Sequence, residues 1–93
     1  MANFIVSYDL NGPNPSHTQV DELLEKAGAA RGRILETVWY VGWPGTTPGE
    51  LLDYLKPLFS SNDLLLVVEA RDAAWTKLLV SDESLQKAWS ANR

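Results

Sequence analysis

Residues 33–43 have the sequence RILETVWYVGW, and this stretch decides the fold. It is dominated by β-branched and aromatic residues, which favour an extended strand. Its 11 residues are too many for one ordinary strand, whose usual length is about five or six. A bulge or tight bend near Glu36 and Thr37 is therefore predicted to divide it into two strands. Both faces are largely apolar, so we expect the stretch to be central or covered on both sides.

A strand and a helix are predicted before this stretch. The segment FIVSYD, residues 4–9, has strand-forming residues and precedes the turn-forming cluster LNGPNP at 10–15. Ser16 is a typical helix N-cap, with Gln19 three residues later to complete a capping box. Apolar residues then recur at helical spacing, and Gly28 suits the end of the helix.

A second helix and a further strand are predicted after it. The segment TPGE at 47–50 forms another capping box with proline at the first helical position. Because Pro57 cannot donate a helical hydrogen bond, we expect a regular helix to about Lys56 and an irregular last turn. The run LLLVVE at 64–69 is typical of a strand covered on both faces.

Residues 71–93 are predicted to form a helical C-terminal extension. Asp72 can cap a short helix with Trp75 on one side, and Ser81 can cap a final helix that carries Leu85 and Trp89. We expect this extension to pack on the same domain or on a dimer partner.

The predicted element order is β-α-β-β-α-β followed by the tail. Right-handed crossovers would put both major helices on one face of a small sheet. Residues 1–70 are therefore predicted to form an α+β, ferredoxin-like βαββαβ sandwich. The other sheet face needs a cover, which the tail, a second copy of the chain, or both could supply.

Composition restricts the possible functions. The 93 residues include 8 Lys and Arg against 12 Asp and Glu, giving a net charge of -4. A strongly basic nucleic-acid binder is excluded, and any basic surface must be small. Without cysteine, and with one histidine, the chain has no disulfide, no cysteine-based zinc site and no multi-histidine metal site.

Location and assembly are also indicated. No apolar run reaches the about 18 residues of a transmembrane helix, and the start MANFIVSYDLNG lacks the features of a secretory signal. We therefore expect a cytoplasmic protein with no membrane partner. Four tryptophans in so small a domain favour a homodimer that buries part of the remaining apolar surface.

Two short motifs carry a resemblance to known families. Tyr8-Asp9 ends the first predicted strand, and Thr37-Val38-Trp39 lies in the next strand region. In order and spacing, residues 3–70 resemble the CRISPR-associated protein two and virulence-associated protein D families. The SYDLNGP start is also similar to that of short bacterial and phage proteins. The resemblance implies a dimeric ferredoxin-like fold and a Mg²⁺-dependent endoribonuclease or endonuclease.

Asp9 is the strongest candidate for catalysis and metal binding. Two Asp9 carboxylates meeting across a dimer axis would repel, and Mg²⁺ between them would relieve the repulsion and activate water for phosphodiester cleavage. Alternatively, Asp9 caps the following loop with its side chain. Tyr8 could position a phosphate or belong to the core. His17 could act as a general base or simply be exposed.

Further candidates would contact nucleic acid. Ser7 flanks Asp9, and Asn11 could complete the hydration shell of a metal ion or only form the turn. Arg31 and Arg33 could contact phosphate or occupy an exposed strand entry. Trp43 could stack on a base, although a core or interface position is the alternative for every tryptophan.

Two functions follow from these candidates. One is a metal-dependent nuclease or nucleic-acid-associated dimer with Asp9 at its centre. The other is a non-catalytic homodimeric module that binds a protein partner. The acidic balance and the absence of basic residues directly after Asp9 favour the second. An antitoxin or regulator is a third possibility.

Overall fold

One four-stranded antiparallel sheet organises residues 2–93, the part of the chain that the computed structural model describes. The elements in chain order are β1 (Asn3–Asp9), α1 (His17–Leu24), β2 (Ala30–Leu35), β3 (Val38–Gly42), α2 (Pro48–Leu55), a 3₁₀ turn (Lys56–Leu58), β4 (Leu64–Glu69) and α3 (Asp82–Ala91). The strand order is β2-β3-β1-β4. The central strands are therefore β3 and β1, and β2 and β4 lie at the two edges.

The stretch at residues 33–43 is divided as predicted. β2 ends at Leu35 and β3 begins at Val38, with a turn at Glu36 and Thr37 between them. A register shift between Arg33 and Leu35 marks a bulge next to this turn. The hairpin places β3 against β1, so this stretch supplies both a central strand and an edge strand.

Local capping signals fix the starts of α1 and α2. Both predicted capping boxes are present, around Ser16 and around Thr47. The helix α1 ends at Leu24, earlier than its apolar spacing suggested. Gly28 then adopts a φ of +67°, and a Cβ atom there would lie 2.6 Å from the Gly42 carbonyl oxygen. Glycine is therefore required by both the backbone conformation and the close approach to β3.

The predicted end of α2 is also confirmed. The regular helix ends at Leu55, and Pro57 lies within the short 3₁₀ turn that follows. A proline at this position avoids the clash that it would cause inside an α-helix.

Each face of the sheet has its own apolar core. The larger core lies beneath α1 and α2 and includes Phe4, Val6, Trp39, Leu24 and Leu51. The smaller one lies beneath α3 and combines Ile34, Tyr40, Leu85 and Trp89. The α1 and α2 helices thus share one face, and α3 covers part of the other.

Buried polar groups attach α3 to the sheet. The Tyr40 hydroxyl donates to Asn3 Oδ1 at 2.6 Å, and Asn3 Nδ2 donates to the Trp89 carbonyl oxygen at 3.0 Å. Asn3 is buried, so each of these hydrogen bonds satisfies a group that would be costly to leave unpaired. The extension therefore packs on its own domain.

The structure corrects two predictions about the C-terminal third. Residues 70–80 form no helix, so the predicted short helix after Asp72 is wrong, whereas α3 begins after Ser81 as expected. The interpretation of β4 as a strand covered on both faces is also wrong. Its residues alternate between exposed and half-buried, and Leu64 is 60% exposed. None of the helices described for residues 2–93 is long and apolar enough to cross a membrane.

Candidate functional site

The most distinctive surface of the molecule lies where β1 and β4 face away from α1 and α2. We call this surface the open face; its residues are Ile5, Ser7 and Asp9 on β1 and Leu64, Leu66 and Val68 on β4. The strand register pairs Asp9 with Leu64, Ser7 with Leu66 and Ile5 with Val68. Because α3 covers mainly β2 and β3, the β4 residues lack cover. Leu66 is 59% exposed and Val68 42% exposed.

The outer edge of β4 is also free within residues 2–93, since β4 pairs only with β1. The Ala70 N–H donates to the Asn3 carbonyl oxygen at 2.8 Å. Hydrogen bonds alternate along an antiparallel ladder, so the backbone groups of residues 64, 66 and 68 point toward β1. The N–H and C=O groups of Leu65, Val67 and Glu69 therefore point outward. We call these outward groups the free edge.

One end of the opposite sheet edge is covered by the chain itself. The Leu79 N–H donates to the Ile34 carbonyl oxygen of β2 at 2.9 Å, and Val80 approaches Gly32 closely. Residues 78–80 thus lie along β2 where another strand would otherwise pair.

Asp9 lies at the end of the open face. It lines a shallow depression of about 310 Å³ together with Ser7, Tyr8 and residues 64–66. The carboxylate is exposed rather than buried at the end of the strand. Solvation removes the burial cost that would have demanded a metal or a partner.

Asn11 is used to close a loop beside Asp9. Its backbone N–H donates to Asp63 Oδ1 at 2.9 Å, and its side-chain amide donates to the Asn62 carbonyl oxygen at 2.8 Å. The Ser60 N–H donates to the second Asp63 oxygen at 2.8 Å. These backbone N–H groups of Asn11 and Ser60 hold the pKa of the Asp63 carboxyl below its usual value. Asp63, rather than Asp9, therefore ties this loop to the start of β4.

Tyr8 and His17 lie on the other side of the sheet from Asp9. Tyr8 is 2% exposed, and its hydroxyl donates to Asp21 Oδ1 at 3.4 Å. The His17 ring lies with its centroid 6.0 Å from that of Tyr8. Burial and the Asp21 carboxylate raise the pKa of Tyr8 to about 12, and the positive charge of Arg33 acts in the opposite direction. The structure therefore places Tyr8 beside His17, the first residue of α1, with the Tyr8 side chain on the opposite face of the sheet from the Asp9 side chain.

The remaining candidates lie apart from the open face. Arg31 and Arg33 are exposed on β2, the far edge strand. Trp43 follows β3 at the opposite end of the sheet from Asp9 and packs edge-on against Tyr54, with ring centroids 5.4 Å apart. Of the predicted nucleic-acid contacts, only Ser7 and Asn11 lie near Asp9.

The open face has few groups that could hold a metal ion. No group of three or more His, Asp or Glu side chains suited to a metal occurs among residues 2–93. Asp9 with the Ser7 hydroxyl could contribute only part of the six-oxygen shell of Mg²⁺, and water would supply the rest. Such a site would bind the ion weakly in one chain.

Sequence reasoning missed the exposed leucines of β4 and the role of Asp63. The sequence LLLVVE does not indicate which face of β4 is covered, because both faces carry apolar side chains. The position of Asp63 directly before this run could have indicated its role, since aspartate side chains often accept hydrogen bonds from backbone N–H groups in turns.

Comparisons with protein-family models, with curated proteins and with solved structures find no match to this chain.

Proposed function

We propose that this chain is a homodimeric, non-catalytic protein-interaction module that associates through its β4 side. The observation that carries this proposal is the open face, where Leu64, Leu66 and Val68 are 60%, 59% and 42% exposed beside an unpaired strand edge. Contiguous exposed apolar residues of this kind usually mark an interaction surface in a folded protein.

The energetics favour covering this surface. Burial of apolar surface contributes about 25 cal/mol per Å². Full burial of a leucine side chain contributes roughly 2 kcal/mol, so even partial cover of these residues in each of two chains would contribute to an association free energy. The β4 strand has no Lys, no Pro and no bulge, which are the usual features that prevent edge strands from associating.

The proposal places the interaction surface on a ferredoxin-like fold in a cytoplasmic protein. The order β2-β3-β1-β4 with α1 and α2 on one face supports this topology, because a βαββαβ chain with right-handed crossovers is expected to give that order. The relation to the CRISPR-associated protein two and virulence-associated protein D families stays a prediction from the short motifs.

Sedimentation equilibrium of matched variants tests the homodimer. We expect the unmodified chain to approach twice its mass of 10.3 kDa as its concentration rises. Leu66→Glu should remain monomeric because its charge would lie against the apolar side chains of the second copy. Leu79→Glu is the matched control, since Leu79 is 61% exposed but lies along β2, and it should associate like the unmodified chain.

Two results would contradict the proposal. One is a monomer at every concentration up to the millimolar range. The other is equal weakening of the dimer by Leu66→Glu and Leu79→Glu, because the contact would then not be located on β4. Circular dichroism and urea unfolding of each variant show whether it is folded.

A Mg²⁺-dependent nuclease is the second candidate function. The observation that favours it is the exposed Asp9 carboxylate at the rim of a depression that also contains Ser7. Mg²⁺ bound there would supply Lewis-acid activation of water and charge neutralisation during phosphodiester cleavage. Asp9 would hold the ion, and Ser7 would help to orient its hydration shell.

Cleavage of labelled RNA and DNA separates the two functions. A nuclease should cleave at least one substrate only with Mg²⁺ or Mn²⁺, and Asp9→Asn should abolish that cleavage while the fold and the association state persist. The interaction module should cleave neither substrate with either ion. Glu36→Gln is a suitable control for Asp9→Asn, because Glu36 is exposed in the turn between β2 and β3.

A further inference from the structure

We infer that two copies of this chain join edge to edge through β4, forming one continuous eight-stranded antiparallel sheet around a two-fold axis at Val67. The inference rests on the proposed homodimer and specifies its geometry. It follows from the direction of the free backbone groups, the pattern of side chains along β4 and the obstruction of one end of the opposite sheet edge.

The free edge sets the possible pairings. Leu65, Val67 and Glu69 point their N–H and C=O groups outward, as the Ala70 to Asn3 hydrogen bond requires. A second β4 strand can form backbone hydrogen bonds with this edge only in a register that places its own outward-pointing residues opposite Leu65, Val67 and Glu69. A two-fold axis at Val67 pairs Leu65 with Glu69 of the second copy and Val67 with its own counterpart. All outward groups of β4 are then used, in six backbone hydrogen bonds.

The neighbouring register is less favourable. With the axis at Leu66, Leu65 and Val67 would be the only outward-pointing residues paired within the two β4 strands. Glu69 would lie opposite Asp63 of the second copy, which precedes its β4 strand. Like charges directly opposite each other destabilise a sheet. Asp63 is also already engaged by the backbone N–H groups of Asn11 and Ser60.

Side chains agree with the Val67 axis. On the open face, Leu66 would lie directly opposite Val68 of the second copy. The two would form a non-hydrogen-bonded pair, in which the Cα atoms lie about 4.5 Å apart. Leu66 and Val68 of each copy then cover part of one another across the seam between the two β4 strands. Two chains each with net charge -4 repel at long range, but the paired segment itself contains only Glu69 as a charged residue.

The symmetry of the β4 contact, together with the obstructed end of β2, would limit the assembly to two copies. Residues 78–80 lie along β2, with the Leu79 N–H bonded to the Ile34 carbonyl oxygen. The β4 contact would use the same strand of both copies, so it is isologous and closes after a single pairing. A six-residue strand spans about 20 Å, so the interface lies at the small end of specific interfaces, a class that begins at about 1,200 Å² in total. We accordingly expect a dissociation constant on the order of micromolar.

This geometry has a consequence for Asp9. Three strand spacings of about 4.8 Å and an offset of six residues at about 3.4 Å each would separate the two Asp9 Cα atoms by about 25 Å. Carboxylates bound to one Mg²⁺ must both lie about 2.1 Å from the ion. The edge-paired dimer therefore excludes a single ion shared by the two Asp9 side chains.

Cysteine cross-linking tests the pairing, because the chain contains no cysteine of its own. The double variant Leu66→Cys/Val68→Cys should form a covalent dimer under oxidised glutathione, since opposed residues of this type lie about 4.5 Å apart at Cα. Each single variant should link at least tenfold less, because identical residues would be about 8 Å apart, beyond disulfide reach. Both positions are exposed, so the fold should persist.

The outcomes separate this inference from the proposed function. Efficient linking by Leu66→Cys alone would place the axis at Leu66 and overturn the Val67 register. A dimer by mass in which the double variant fails to link would overturn edge pairing but leave the homodimer. A monomer by mass would overturn both. Leu79→Cys is the control for random collisions between exposed thiols and should give the background yield.

Discussion

The hydroxyl of Tyr8 lies in surroundings that oppose its ionisation. Burial and the Asp21 carboxylate raise its pKa from 10.0 to about 12. In the unfolded chain the phenol ionises near pH 10, before the folded one does, so ionisation favours unfolding. The contribution of Tyr8 to stability is therefore fully present below pH 10 and is lost as the pH rises toward 12.

Substitution of Tyr8 tests this dependence. We expect the free energy of unfolding of the unmodified chain to fall steeply between about pH 10 and 12, and Tyr8→Phe to fall less steeply because it removes one ionising group. Urea unfolding at a series of pH values measures both slopes. Identical slopes for the unmodified chain and Tyr8→Phe would show that the raised pKa of Tyr8 does not cause the loss of stability.

Side-chain direction is the part of the candidate site that the sequence alone could predict. Successive residues of a strand point to opposite faces, so adjacent Tyr8 and Asp9 must diverge. The sequence could not show that α1 and α2 cover the Tyr8 side, because coverage depends on contacts between distant segments. For this reason Tyr8 was a catalytic candidate, although the structure buries it and exposes Asp9.

At the scale of elements, α3 depends on a buried polar connection to the sheet. Tyr40 is 2% exposed, its hydroxyl donates to Asn3 Oδ1, and Asn3 in turn donates to the Trp89 carbonyl oxygen. The Tyr40 and Trp89 rings also stack, with centroids 5.4 Å apart. Removal of the hydroxyl leaves an Asn3 acceptor without this donor in a buried position.

Tyr40→Phe should therefore destabilise the protein more than a matched change elsewhere. An unsatisfied buried polar group costs about 1–3 kcal/mol, and we expect the free energy of unfolding to fall by this amount. Tyr54→Phe should change it by less than about 0.5 kcal/mol, since Tyr54 is exposed and its hydroxyl lies 3.5 Å from the Leu23 carbonyl oxygen. Equal effects in chemical denaturation would show that the connection does not hold α3.

Element boundaries were predictable where their causes are local. The capping boxes at Ser16 and Thr47 and the proline at position 57 act within a few residues, and the structure confirms each of them. The segment 70–80 was not predictable in this way. Its extended course depends on the Leu79 N–H bond to Ile34 and on the Trp75 indole bond to Asp82. Asp72 therefore resembles a helix cap in sequence but has no helix to cap.

At the scale of the whole molecule, the C-terminal extension determines which surface stays available. It covers part of the second sheet face with α3 and obstructs one end of the β2 edge with residues 78–80. The open face and the free edge remain on the β4 side. The composition indicated a homodimer but not its contact surface. The proposed contact surface is identified by the part of the sheet that the helices and residues 78–80 leave uncovered.

Amide hydrogen exchange along β4 tests the edge-paired dimer most directly. The N–H groups of Leu66 and Val68 point toward β1, so they should exchange slowly at every concentration. The N–H groups of Leu65, Val67 and Glu69 point outward. We predict that they exchange slowly in concentrated protein, at least tenfold faster after dilution below the dissociation constant, and fast at all concentrations in Leu66→Glu. Fast exchange of these three outward amides in a concentrated sample of the unmodified chain would contradict the account.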